Sequence, residues 1–123
     1  MPRRAALLLL VLPLVLAACG GGGGGGSGKQ AASKDPCPDG AVVIHMADIK
    51  FKPETATAKV GQPVCWTNDD DIQHDAVDED GKQFESALFG KGETFTWKAE
   101  KAGTVKYVCT VHPGMDGTLD VNG

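Results

Sequence analysis

Cys109, His112 and Met115 stand three residues apart in the run Tyr107-Val108-Cys109-Thr110-Val111-His112-Pro113-Gly114-Met115. Thiolate and thioether are soft donors and imidazole is borderline, a set that suits copper rather than magnesium, calcium or manganese. One nitrogen beside one thiolate leaves a trigonal plane incomplete, so this chemistry asks for a second imidazole upstream. His74, in Asp71-Ile72-Gln73-His74-Asp75-Ala76-Val77, is the candidate, and the alternative, His45, sits inside an apolar strand-like segment. Zinc suits the set less well, because structural zinc prefers several thiolates or imidazoles and Met is a poor ligand for it. Multicopper enzyme chemistry is not expected: the chain has three His in total, too few for additional copper centres.

The elements around these residues read as strands. Val42, Ile44 and Met46 share one face of the segment from Ala41 to Met46, so His45 points the other way, as a solvated residue. In Val64-Cys65-Trp66-Thr67-Asn68, alternation turns Val64 and Trp66 inward and Cys65 outward. Phe95 and Trp97 share a face, as do Val105, Tyr107 and Cys109, which places the thiol on the apolar side at the end of a strand. Gly117-Thr118-Leu119-Asp120-Val121 supplies a last strand. No window shows a sustained helical period, and short strands between Gly, Pro and Asp turns predict an all-β Greek-key sandwich or barrel.

Net charge of −4 and a pI of about 5.2, with no Lys/Arg cluster beyond the N-terminus, exclude the basic face of a nucleic-acid binder. Asp69, Asp70, Asp71, Asp75, Asp78, Glu79 and Asp80 flank His74 as an acidic run. It reads as a solvated loop, or as a docking patch for a cationic partner.

Residues 1–18 read as an export signal: Arg3-Arg4, an apolar run from Ala5 to Val15 too short for a spanning helix, then Leu16-Ala17-Ala18-Cys19. The last four residues resemble a bacterial lipobox, which implies cleavage before Cys19 and lipidation of its thiol. Residues 19–36 form the lipidated Cys and a Gly-rich tether, whose part after Cys19 has a random-coil reach of about 20–25 Å. Residues 37–123 form the domain. With Cys19 set aside, Cys37, Cys65 and Cys109 remain, an odd number in a compartment that favours disulfides. Cys109 has the metal-ligand context, so Cys37 and Cys65 are expected to bridge.

From about Ala41 to Val121 the chain resembles the small blue-copper proteins, or cupredoxins, of the plastocyanin and amicyanin type. The landmarks, in order, are Ile49-Lys50-Phe51-Lys52-Pro53, Val60-Gly61, Val64-Cys65-Trp66-Thr67-Asn68, His74, Gly92-Glu93-Thr94-Phe95, Ala102-Gly103-Thr104 and Cys109 to Met115. The resemblance implies one type 1 copper per chain, held by His74, Cys109, His112 and a long axial Met115, that cycles between Cu(I) and Cu(II). It also implies a one-electron carrier, a monomer working between donor and acceptor proteins on the extracytoplasmic side of a bacterial membrane. Copper delivery or storage is the alternative. The Cys109–Met115 spacing matches the short amicyanin-like loop. His74's counterpart is buried in the family, whereas that of His112 shows its ring edge at an apolar surface. Relatives commonly carry Asn where this chain has Asp75, whose carboxylate is expected to accept a hydrogen bond from Thr110 behind the ligands.

Overall fold

A computed structural model describes residues 29–123. Eight strands follow in chain order: β1 (Val42–Ala47), β2 (Lys50–Lys52), β3 (Thr55–Lys59), β4 (Pro63–Asn68), β5 (Val77–Asp78), β6 (Thr94–Lys98), β7 (Gly103–Val108) and β8 (Asp116–Asn122). They form two four-stranded sheets, ordered β2-β1-β4-β6 and β3-β8-β7-β5. β1 runs parallel to β4 and β3 parallel to β8, while the remaining pairs are antiparallel. This is the all-β sandwich expected from the alternating segments.

The period-2 pattern explains the core. Ile44 and Met46 of β1, Val64 and Trp66 of β4, Val105 and Tyr107 of β7 and Leu119 of β8 are buried between the sheets. Trp66 is the hub, with Phe95 stacked at 5.5 Å and Tyr107 edge-on at 5.3 Å between ring centroids. Tyr107 in turn needs Gly117: the two are opposite in the β7–β8 register, and a Cβ on Gly117 would come within 2.2 Å of Tyr107 Cζ.

Two features depart from expectation. Cys65 lies outside the core cluster, as alternation requires, yet it is fully buried, because the segment leading to β1 covers it through the Cys37–Cys65 disulfide. Ordered contacts also begin before Cys37. Gln30 bridges to Ser86 and Ser33 to Thr94, and Ala32 packs against the core. Residues 30–35, expected as part of the tether, therefore lie against the domain, with Ser33 pairing with the edge of β6. The export signal, Cys19 and the glycine tract lie outside the described residues.

Because the disulfide closes a separation of 28 residues, replacing Cys37 and Cys65 together by Ser should lower unfolding free energy by about 3–4 kcal/mol. Urea denaturation would measure this. Thiol labelling of the denatured, copper-free protein without reductant should modify Cys109 and leave Cys37 and Cys65 unmodified; labelling of either would contradict the bridge.

Candidate metal centre

Two loops from different sheets build the site. One follows β4 and carries His74; the other follows β7 and carries Cys109 and His112.

Asn68, fully buried at the end of β4, organises the first loop. Its Nδ2 donates to the carbonyls of Ile72 (2.8 Å) and Phe89 (2.9 Å), and its Oδ1 accepts from Asp70 N–H (2.9 Å). His74 then exchanges backbone hydrogen bonds with Phe89. A side-chain amide can make these bonds because it offers donors and an acceptor together.

The second loop closes on itself. Cys109 N–H donates to the Met115 carbonyl (3.0 Å), His112 N–H to the Cys109 carbonyl (3.4 Å) and Met115 N–H to the His112 carbonyl (3.1 Å). Gly114 takes φ 87° within this turn, a conformation that costs glycine little. The chain thereby returns to Cys109, and the Met115 side chain is buried in the core beneath the loop.

His74 Nδ1 lies 3.1 Å from His112 Nδ1 and 3.6 Å from Cys109 Sγ, and Cys109 Sγ lies 3.4 Å from His112 Nδ1. A point equidistant from all three sits about 2.0 Å from each, close to metal–nitrogen and metal–thiolate bond lengths. Three donors at this spacing, with no second cysteine in the cluster among the described residues, fit one copper ion. His74 is fully buried and Cys109 nearly so, while His112 is partly exposed. Burial pushes the Cys109 thiol up, an effect partly offset by the N–H groups of Asp75 and Val111 directed at the sulfur. Since the ligand is the thiolate, metal uptake must displace that proton.

Behind the ligands, Asp75 is buried and receives both hydrogen-bonding groups of Thr110: N–H donates to Oδ1 at 2.7 Å and Oγ1–H to Oδ2. This pair joins the two loops.

Asp70 is the residue that sequence reasoning missed, because it reads there as one of a run of surface acids. Its Oδ2 lies 2.8 Å from His74 Nε2, the ring nitrogen facing away from the donor triangle. The same carboxylate accepts the N–H groups of Asp48 (2.9 Å) and Ile49 (3.0 Å), two non-glycine residues with φ of 55° and 56°. Desolvation works against the charged form, but the Ile49, His74 and Asp48 donors outweigh it and hold Asp70 below the usual carboxylate range. The one legible signal was an acid four residues before the ligand His. The neighbouring acids are engaged too: Asp69 meets His45 at 2.7 Å and Asp71 meets Lys91 at 2.9 Å. His45 is exposed and stands outside the donor cluster.

The family model of copper-binding proteins of the plastocyanin/azurin family matches residues 38–122. Amicyanin-alpha of Methylorubrum extorquens is 31% identical over 88 residues, spanning 68% of this chain and 74% of the relative. Plastocyanin of Scenedesmus fuscus is 35% identical over 85 residues, spanning 59% and 87%. Among solved structures, a Cu(I) form of an amicyanin variant superimposes with a TM-score of 0.68 at 28% identity, covering 76% of this chain and 94% of the other.

Two substitutions test the support of the ligands. Asp70→Ala frees the His74 ring and the Asp48–Ile49 turn and should weaken copper binding by about 10–100-fold in a chelator competition; unchanged affinity would mean that His74 is held without it. Asp75→Asn removes a negative charge beside the thiolate and should raise the reduction potential, read by redox titration.

Proposed function

We propose, for a chain that belongs to the plastocyanin/azurin family of copper-binding proteins, a membrane-tethered one-electron carrier whose single type 1 copper would be held by His74, Cys109 and His112, with Met115 as a further ligand. The observation that carries this reading is the closed triangle of two imidazole nitrogens and one thiol at the end of β7. Copper bound there would supply a one-electron Cu(I)/Cu(II) couple.

The chain's own residues supply rigidity and dryness. His74 and Cys109 are shielded from water, and hydrogen bonds through Asn68, Asp70 and the Cys109–Met115 turn hold the donors in place. Little then has to move when the charge of the site changes, which favours fast electron exchange over release of the metal to another protein. Ile72, Leu88 and Val111 are 42%, 43% and 47% exposed on the ligand loops and on the segment bridged to them. With the partly exposed His112 ring, these apolar side chains of the site-building segments are the rim proposed here as the docking surface for redox donor and acceptor proteins.

The disulfide supports an oxidising, extracytoplasmic location. The Leu16-Ala17-Ala18-Cys19 motif supports a lipid on Cys19 that holds the domain at a bacterial membrane.

The Cu(II) protein should show an intense visible thiolate-to-copper band with the matching EPR signature, both lost in Cys109→Ser. A colourless copper-loaded protein would end the electron-carrier reading.

A further inference from the structure

The pole of the sandwich remote from the ligands carries a surface that electron transfer at His112 does not use. In the β4–β6 register Thr67 faces Thr94 and Pro63 faces Lys98, and the ligand loop hangs from Asn68 at the end of β4. Lys98 therefore lies at the opposite end of the sheet, about 15 Å along the strand at ordinary strand rise. There a cleft of ≈ 570 Å³ is lined by Lys82, Lys98, Lys101, Trp97, Gln30 and Glu100. Cations outnumber anions in it, in a chain whose net charge is −4. An adjoining cleft that shares Gln83 is lined by Asp78, Glu79, Asp80 and Lys106, so the balance of charge changes sign across Gln83.

Apolar groups accompany the lysines. Trp97 is half-buried, its ring 4.7 Å from Phe84. Val60 is 40% exposed, and its turn is joined to this pole by Gly61 N–H donating to the Ala99 carbonyl.

The chain also enters here. Gln30 lines the cleft and is fixed through its N–H to Glu85 and through its carbonyl to Ala87, both at 2.7 Å. Lys29 is exposed beside it, and nine residues separate it from Cys19. With so few residues between them, a lipid on Cys19 would keep this cleft near headgroups.

We propose that this cleft is a membrane-facing surface: Lys82, Lys98 and Lys101, with Lys29 at the chain entry, take anionic phospholipid headgroups, Trp97 settles at headgroup level, and the copper end is turned away from the bilayer. The proposal rests on the lipid-anchored reading above. Lysines within a Debye length of an anionic surface are drawn to it, and indole rings favour the membrane–water interface. An anchor at Cys19 alone would not fix which face of the domain meets the bilayer, and one orientation would bury His112 against lipid. A second, weak contact at the opposite pole selects the orientation in which the His112 rim faces its partners.

The test uses the lipidated chain in phosphatidylcholine vesicles, with or without about one-third phosphatidylglycerol, whose acyl chains are brominated near the headgroup to quench indole fluorescence. Trp66 is fully buried, so a Trp97→Phe variant defines the background. The expected result is co-flotation with both vesicle types, and quenching at least about twofold stronger with phosphatidylglycerol, abolished by added salt or by joint Lys82→Glu, Lys98→Glu and Lys101→Glu replacement. Co-flotation without that lipid dependence, or quenching that survives charge reversal, overturns the docking surface while the anchor stands. Failure to float overturns the anchor and the inference together. Binding of soluble polyglutamate at the cleft, with no response to phosphatidylglycerol, would overturn it in favour of an acidic protein partner.

Discussion

Two loops belonging to different sheets must present three donor atoms within 4 Å of one another, and the Asp75–Thr110 pair is the contact that joins them. A thiol and two imidazoles held this close, largely out of water, do not stay together through attraction for each other. Each is placed by backbone bonds that belong to its own loop. Asn68 and Phe89 seat His74, and the Cys109–Met115 turn seats Cys109 and His112. The carboxylate of Asp75 then locks one loop to the other by accepting one Thr110 hydrogen bond on each oxygen, where an amide would present one acceptor oxygen and one donor NH2. The stiffness of the sandwich below, organised around Trp66 and Tyr107, keeps both loops in register.

The support extends outward through Asp70. One carboxylate orients the His74 ring and satisfies the amides of a left-handed turn between β1 and β2. The ligand geometry is thus coupled to the opposite edge of the first sheet, and an apparently ordinary surface acid belongs to the metal centre. With Asp69 and Asp71 occupied by His45 and Lys91, the run before His74 acts as local scaffolding as much as it acts as a charged surface.

The two ends of the sandwich differ in chemistry. One end gathers the ligands and an apolar rim, while the other gathers lysines, an indole and the point at which the chain arrives from its N-terminal region. In this arrangement the N-terminal segment has a structural part, since it pairs with the edge of β6 and is tied to β4 by the disulfide before β1 begins.

Much of this was legible in the order of residues alone. Strand alternation sorted Ile44, Met46, Val64, Trp66, Val105 and Tyr107 into the core, because side-chain direction along a strand depends only on parity. The Cys109–His112–Met115 spacing announced a soft-metal loop, since its hydrogen bonds are local, and cysteine parity pointed to the Cys37–Cys65 bridge. The roles of Asn68 and Asp70, the burial of Cys65, the docking of residues 30–35 and the gathering of Lys82, Lys98 and Lys101 were decided only by the tertiary structure. Each depends on groups far apart in the chain, brought together by sheet pairing, and no local pattern of residue types records which distant neighbour a side chain will meet.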